Sequence, residues 1–333
     1  MTTLTLGASL NAALRRSLAD DPRVMVMGED VGTLGGVYRI TDGLQRDFGA
    51  DRVLDTPLAE SAIIGTAIGL AMRGYRPVCE IQFDGFVFPA FDQIVSQLAR
   101  MRSRTRGAVG LPLTIRIPVG GGIGAAEHHS ESPEAYFAHT PGLRVVTVSN
   151  PQDAYTMLRQ SIASDDPVIF FEPKRRYHVK GDVDLETDLA DAPPLAGARV
   201  LTMGDDVTLV TYGALVTTAL DAAAVAADEG TGVEVIDLRS LSPIDLDTVA
   251  ASVRRTGRVV IAHEAPRSVG LGAELAAAIT ERCFAYLETA PVRVTGHDIP
   301  YPPARVESHH LPDLDRLLEG VDRALGRASV EVS

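Results

Sequence analysis

The chain has 333 residues, of which 45% are hydrophobic and 23% charged, a balance typical of a globular protein with about two domains. Its net charge of −13 gives the chain as a whole no attraction to nucleic acid or to an anionic membrane surface. The composition therefore favours small-molecule chemistry or protein partners.

The two cysteines, Cys79 and Cys283, are too few for a four-ligand metal cluster, and both lie in apolar segments. Such cysteines are typical of reduced, buried thiols. Residues 1–7 lack the basic and apolar parts of a signal peptide, and no run of about 18 apolar residues occurs. We therefore expect a cytoplasmic protein that makes no membrane contact.

The first two-thirds of the chain alternate between short β-rich runs and longer helical patterns. The β-rich runs predict strands at residues 24–27, 78–81, 113–117, 145–148 and 168–171. The apolar periodicity predicts helices at residues 6–19, 61–73, 88–104 and 154–163. This alternation indicates one α/β domain, doubly wound around a mainly parallel sheet, over residues 1–180.

A charged and Pro-rich stretch at residues 181–206 has the composition of a linker. After it, strands are predicted at residues 207–211, 233–237, 259–261 and 292–294. Helices are predicted at residues 214–227, 246–255, 272–283 and 314–325. The sequence thus predicts a second, smaller α/β domain over residues 207–333.

Glu60 is a lone carboxylate at the start of a predicted helix that has almost no polar residues. The helix dipole favours a charge there, whereas the apolar surroundings raise the pKa of a carboxyl group. Gly65 and Gly69 share one face of the helix and suggest a closely packed interface. From this segment alone, Glu60 is as well explained as a cap of its own helix as a functional group.

Four of the nine phenylalanines fall between residues 83 and 91, at a strand end, a Gly-containing turn and a helix start. Ligands of α/β proteins bind at loops that follow strands. Phe86 could stack there on a flat heterocycle, and Gln82 could hydrogen-bond to its rim. The alternative is that the phenylalanines simply belong to the core.

Two adjacent histidines, His128 and His129, follow a glycine-rich stretch at residues 120–124. No Gly-Lys-Ser/Thr ending follows the glycines, which excludes a phosphate loop of the Walker type. A third metal ligand at a familiar spacing is also lacking, so an imidazole that donates a proton or stabilises an oxyanion fits better. A solvated surface pair is an equally good explanation of this segment alone.

Glycines also surround the acidic pair Glu29 and Asp30, after the first predicted strand. Their spacing is not Gly-x-Gly-x-x-Gly, and the acidic side chains would repel a pyrophosphate. The pattern therefore argues against NAD binding.

Together these segments resemble the β subunit of a thiamin-diphosphate-dependent enzyme, the decarboxylating component of 2-oxo acid dehydrogenase complexes. The motifs that carry the resemblance are GEDV at 28–31, TPLAE at 56–60, EIQF at 80–83, FPAFDQI at 88–94, HS at 129–130, SPEAYFAH at 132–139, PG at 141–142, FFEPK at 170–174, VIDLR at 235–239 and HEAP at 263–266. The resemblance implies a transketolase-like pyrimidine-binding domain followed by a transketolase C-terminal domain. It also implies an α2β2 heterotetramer that serves a dihydrolipoyl acyltransferase core.

The resemblance assigns roles to individual residues at the aminopyrimidine end of the cofactor. Glu60 matches the glutamate that binds the ring nitrogen N1′ and thereby activates the cofactor. Phe86 matches the aromatic residue that packs on the pyrimidine, where branched-chain members can also carry tyrosine, and Glu29 and Gln82 complete the cofactor contacts. His129 matches the histidine that serves proton transfer while the acyl group passes to lipoamide.

The resemblance also bears on metals. It implies a structural potassium ion held by Leu111, Leu113, Thr114, Ser161, Ser164 and Asp166. Thiamin-diphosphate enzymes bind Mg²⁺ and the diphosphate through Gly-Asp-Gly followed by Asn, yet this chain has no Gly-Asp-Gly and only two asparagines. The Mg²⁺ should therefore be held by the α subunit.

The function that the resemblance implies is oxidative decarboxylation of a 2-oxo acid with transfer of the acyl group to lipoamide. Residues 82–91 are closer to the branched-chain type than to the pyruvate type, which is the alternative. A free-standing transketolase-like synthase is disfavoured by the lack of Gly-Asp-Gly. A non-catalytic partner subunit is disfavoured because Glu60, Phe86 and His129 occur together.

Overall fold

The computed structural model describes residues 1–327, which divide into two units. The first unit comprises Met1–Val119 and Tyr136–Leu195, and the second comprises Gly120–Ala135 and the chain from Ala196. The last six residues of the predicted second domain, 328–333, lie outside the described residues. Both cysteines are free and buried.

Residues 1–195 contain eight strands and six α-helices. The strands are β1 (Thr2–Thr5), β2 (Val24–Gly28), β3 (Val53–Asp55), β4 (Arg76–Glu80), β5 (Thr114–Val119), β6 (Arg144–Thr147), β7 (Val168–Pro173) and β8 (Lys180–Val183). The helices are α1 (Leu6–Asp20), α2 (Leu44–Phe48), α3 (Glu60–Met72), α4 (Ala99–Arg104), α5 (Glu134–Ala138) and α6 (Pro151–Ala163).

Six of these strands form one parallel sheet in the order β6-β7-β5-β4-β2-β3. All five residues of β2 are buried, as expected for an inner strand of a parallel sheet that is covered on both faces. Helices α1 and α6 pack against each other over one cluster of core side chains. The predicted doubly wound, mainly parallel sheet is confirmed.

Side-chain caps explain where α1 and α6 begin. Thr5 Oγ1 accepts a hydrogen bond from the Ala8 N–H, and the Asn150 side chain accepts one from the Asp153 N–H. Pro151 occupies the first position of α6, where a missing N–H costs nothing.

The second unit contains a sheet in the order β14-β13-β10-β11-β9, with only β9 antiparallel. The strands of the chain from Ala196 are β9 (Arg199–Thr202), β10 (Val207–Thr211), β11 (Val233–Asp237), β12 (Ser240–Ser242), β13 (Val259–Pro266) and β14 (Val292–Gly296), and β12 is not part of this sheet. Its helices are α7 (Leu215–Asp228), α8 (Leu246–Thr256), α9 (Leu271–Cys283), α10 (Glu307–His310) and α11 (Leu314–Ala324). Strand β9 falls within the stretch predicted as a linker.

The structure corrects one predicted helix, at residues 88–104. The chain there forms a 3₁₀ segment (Asp84–Ala90), a π-helical turn (Gln93–Leu98) and then α4. Pro89 lies inside the 3₁₀ segment and has no N–H to donate, which prevents one regular α-helix from running through it. Across residues 1–327, no helix is both long and apolar enough to span a membrane.

Candidate functional site

The carboxyl ends of three neighbouring strands in the first unit meet at one edge of its sheet. Glu29 follows β2, Thr56 follows β3 and Gln82 lies just beyond β4, while Glu60 begins α3 shortly after β3. The chain leaves β2 toward β3 on one side, and it leaves the adjacent β4 toward β5 on the other side, which makes a topological switch point between β2 and β4. Ligands of open α/β sheets bind in the crevice at such a point. We refer to this edge as the switch-point crevice.

Two buried carboxylates lie at the crevice. Glu29 and Glu60 are each 8% exposed, and Glu29 Oε1 has no hydrogen-bond partner within residues 1–327. Burial raises the pKa of Glu29, and the nearby charges of Glu60 and Asp30 raise it further. The cap of α3 is Ala59, so the Glu60 side chain is not held as a cap of its own helix.

Unpaired buried acceptors require donors from another molecule. Thr56 Oγ1 is a second buried oxygen here that has no hydrogen-bond partner within the described part of the chain. A flat nitrogen heterocycle that carries N–H groups, such as an aminopyrimidine, supplies donors of this kind. The crevice therefore fits the group that the sequence resemblance implies.

An aromatic turn lies beside these carboxylates. Phe83 and Phe86 pack edge to face, with ring centroids 5.7 Å apart, and Phe86 is only partly buried. Gln82 Nε2 lies 3.3 Å from both the Glu29 carbonyl oxygen and Asp30 Oδ2. The side-chain N–H groups of Gln82 thus donate to Glu29 and Asp30 of the same chain, and the side-chain oxygen of Gln82 can contact a ligand.

A buried charge network underlies the crevice and was not predicted from the sequence. Arg116 is fully buried and contacts Glu80 at 2.7 Å and Glu172 at 2.7 and 2.9 Å. Tyr177 Oη donates to Glu172 at 2.6 Å. Burial raises the pKa of Glu80, and the charge of Arg116 opposes that rise. The signal that the sequence offered was an arginine inside the apolar strand β5.

A second buried ion pair holds the aromatic turn. Asp84 is the first residue of that turn and pairs with Lys174, and both side chains are fully buried. Lys174 Nζ lies 6.0 Å from the centre of the Phe83 ring. The pair therefore fixes the start of the turn that presents Phe86.

The second unit contains the glycine–histidine segment, which we define as residues 120–135. His128 and His129 lie in a short 3₁₀ turn, with ring centroids 4.2 Å apart. The Gly120 N–H donates to the Glu131 carbonyl at 2.9 Å, which closes the segment on itself. His129 is only partly exposed, whereas His128 is exposed.

Buried polar groups at the end of this segment have unusual protonation. Tyr212 Oη donates to Glu134 Oε1 at 2.6 Å, and burial raises the pKa of Glu134 to about 7 although the Tyr212 bond opposes the rise. Burial lowers the pKa of His263 to about 4. The neutral His263 ring accepts from the Gly272 N–H through Nε2, so its Nδ1 carries the proton and donates to the Ala265 carbonyl. Neither group was predicted.

The residues implied for potassium lie at the opposite, amino-terminal edge of the first sheet. They are Leu111, Leu113 and Thr114, at the start of β5, and Ser161, Ser164 and Asp166, before β7. The Leu113 carbonyl accepts a hydrogen bond from the Val168 N–H at 2.9 Å, so the residues at the start of β5 lie next to the residues before β7. Asp166 pairs with Arg102 and Arg144, which leaves mainly backbone carbonyls as ligands. No group of three or more His, Cys, Asp or Glu side chains within residues 1–327 is arranged to hold a metal ion.

The structure thus gathers Glu29, Glu60, Gln82 and Phe86 at neighbouring strand ends of the first unit. His129 belongs to the second unit. Residues 2–180 match the family described as transketolase, pyrimidine binding domain, and residues 196–317 match transketolase, C-terminal domain. Both domain families agree with the predicted fold class.

Several bacterial β subunits are similar over nearly the whole chain. The pyruvate dehydrogenase E1 component subunit beta of Leifsonia xyli is 59% identical over 324 residues, 97% of this chain and 95% of that protein. The 3-methyl-2-oxobutanoate dehydrogenase subunit beta of Mycobacterium tuberculosis is 58% identical over 324 residues, 97% of this chain and 92% of that protein. The 2-oxoisovalerate dehydrogenase subunit beta of Pseudomonas aeruginosa is 47% identical over 322 residues, 92% of this chain and 90% of that protein.

A solved structure shares the fold. The split gene transketolase, inactive beta4 tetramer, superposes with a TM-score of 0.78 at 23% sequence identity, over 98% of this chain and 99% of that chain.

Proposed function

Because the chain belongs to the β subunits of the lipoamide-dependent 2-oxo acid dehydrogenases, we propose that its switch-point crevice holds the aminopyrimidine end of thiamin diphosphate. The observation that carries this proposal is the pair of buried carboxylates, Glu29 and Glu60, beside two buried oxygens, Glu29 Oε1 and Thr56 Oγ1, that have no hydrogen-bond partner within residues 1–327. Thiamin diphosphate, when bound, supplies the carbon nucleophile for decarboxylation of a 2-oxo acid.

The chain's own residues have distinct tasks in this proposal. Glu60 holds a proton at the ring nitrogen N1′, where a buried carboxylate without competing donors acts most strongly. Phe86 offers a partly exposed ring for stacking. Glu29 accepts hydrogen bonds at the rim of the heterocycle. His129 moves a proton while the acyl group passes to a lipoyl group.

The partners follow from the family. We propose an α subunit, in an α2β2 heterotetramer, that holds Mg²⁺ and the diphosphate, and a dihydrolipoyl acyltransferase core that receives the acyl group. A structural potassium ion at the amino-terminal edge of the first sheet is a further proposal. It is supported by the resemblance and by the Val168 N–H bond to the Leu113 carbonyl, which brings the start of β5 next to the residues before β7.

The proposed test of the site is the variant Glu60→Gln in the enzyme reconstituted with its co-expressed α subunit. We expect turnover with an artificial electron acceptor to fall by about 10²–10⁴-fold, the usual contribution of a proton-transferring group. Size-exclusion chromatography should show an intact assembly. The matched control is Glu274→Gln, because Glu274 is an exposed glutamate in the first turn of α9. Turnover of Glu60→Gln equal to that of the control would contradict the assignment.

For the substrate we propose a branched-chain 2-oxo acid, supported by the aromatic segment at residues 82–91. The Leifsonia xyli relative, at 59% identity, favours pyruvate as the alternative. Comparison of kcat/KM for 3-methyl-2-oxobutanoate and pyruvate in the reconstituted enzyme tests the choice. A tenfold preference for pyruvate would refute the branched-chain proposal.

A further inference from the structure

One carboxylate from α10 binds the glycine end of the glycine–histidine segment. Glu307 Oε1 accepts the Gly124 N–H at 2.9 Å, and Glu307 Oε2 accepts the Gly122 N–H at 3.2 Å. Tyr301 Oη donates to Glu307 Oε2 at 2.8 Å and lies 3.3 Å from the Gly122 nitrogen. We call these four residues the glycine clasp. The partners are more than 170 positions apart in sequence.

The backbone of the segment is shaped for this contact. Gly122 and Gly124 have φ angles of +83° and +70°, which favour glycine. A Cβ atom at Gly121 would lie 1.8 Å from Tyr301 Oη, so no side chain fits there without movement of the tyrosine. Burial and the bond to Glu307 raise the pKa of Tyr301, which therefore stays a donor at neutral pH.

Two further contacts hold the rest of the segment. The Gly121 N–H lies 3.4 Å from Glu264 Oε2, and Tyr212 donates to Glu134 at the other end. The turn with His128 and His129 lies between these fixed ends. A stretch with glycine at four of the five positions 120–124 is flexible in isolation, so its conformation depends on such contacts.

We propose that Glu307, assisted by Tyr301, is a positioning residue that fixes the glycine–histidine segment and so sets the position from which His129 acts. A carboxylate suits this task because charge-assisted bonds to backbone N–H groups are stronger than neutral ones. The inference rests on the proposed role of His129 in acyl transfer to a lipoyl group. It adds two residues that act through His129 and do not touch the substrate.

Hydrogen–deuterium exchange of the full chain tests the clasp without reference to activity. In Glu307→Ala we expect the peptide over residues 120–131 to exchange about two more amides at early times, those of Gly122 and Gly124. Glu307→Gln keeps the size of the side chain and one oxygen acceptor, so about half of that protection should remain. Glu319→Gln is the control, because Glu319 is exposed on α11. Equal uptake in Glu307→Ala and the control would overturn the clasp.

The reconstituted α/β enzyme tests the consequence for His129. We expect Glu307→Ala to slow reductive acylation of a free lipoyl domain by about 10–100-fold, the effect of a small misplacement of a reacting group. Turnover with an artificial electron acceptor, which bypasses the lipoyl group, should fall far less. Tyr301→Phe should show the same selective loss at smaller magnitude.

The outcomes separate the clasp from the proposed function. Raised deuterium uptake with unchanged lipoyl acylation, or equal losses in both assays, would overturn the positioning role. If the wild-type enzyme turned over neither 2-oxo acid, the proposed function would fail, and deuterium uptake alone would decide whether the clasp exists.

Discussion

The protonation of Glu134 makes the stability of the chain depend on pH in a predictable way. Glu134 is 4% exposed, and its pKa is raised from 4.5 to about 7 by burial. Tyr212 donates to it, and the charge of Glu264 raises the pKa further. The variant Glu134→Gln keeps the size of the side chain and the acceptor oxygen but removes the ionisation.

The direction in which the free energy of unfolding changes with pH follows from proton binding. Between about pH 4.5 and 7 the folded chain holds a proton on Glu134 that the unfolded chain releases, so the free energy of unfolding falls as pH rises through this window. A shift of this size corresponds to about 3 kcal/mol, fully lost above about pH 7. Relative to wild type, Glu134→Gln should therefore gain up to about 3 kcal/mol between about pH 5 and pH 8.

Urea unfolding of the full chain, followed by far-ultraviolet circular dichroism, measures this difference at each pH. The chain has no tryptophan, so circular dichroism is preferable to intrinsic fluorescence. Tyr212→Phe removes the bond that favours the charged carboxylate, and it should enlarge the loss on the alkaline side. A difference between Glu134→Gln and wild type that does not change with pH would refute the reasoning.

Three further predictions concern stability. His263 stays neutral in the folded chain because its pKa is about 4. The free energy of unfolding of the wild type should therefore fall by up to about 3 kcal/mol as pH falls from about 6.5 to 4. Urea unfolding of His263→Asn should not show this loss. Arg116→Met leaves buried carboxylates unpaired and should cost about 3–5 kcal/mol, whereas a loss below about 1 kcal/mol would contradict the network. Gly142→Ala places a Cβ atom 2.0 Å from a backbone oxygen, whereas Gly74 has a similar φ and open space around the position of a Cβ atom. The Tm of Gly142→Ala should therefore fall more than that of Gly74→Ala. Equal losses of Tm in the two variants would contradict the clash.

The sequence predicted the regular elements well where burial on both faces leaves a continuous apolar run. Strands β2, β10 and β11 lie within one residue of their predicted bounds. The short strands β1, β3, β8 and β9 were not predicted, because three or four residues carry too little periodicity and depend on pairing with distant partners. The helix predicted at residues 88–104 is helical for most of its length, but its apolar pattern did not predict the 3₁₀ and π-helical parts.

For the candidate site, too, some features follow from the sequence and others only from the tertiary structure. The sequence by itself determined which residues we propose for the chemistry, since motifs such as TPLAE and EIQF are local and resemble a known family. Only the tertiary structure shows that Glu29 and Glu60 are both buried at one switch point, and that Glu29 Oε1 has no hydrogen-bond partner within residues 1–327. It also decided that Arg116 joins Glu80 to Glu172, and that Glu307 binds glycines 183–185 positions earlier. Such contacts depend on strand order and on the return of the chain, which a local pattern does not encode.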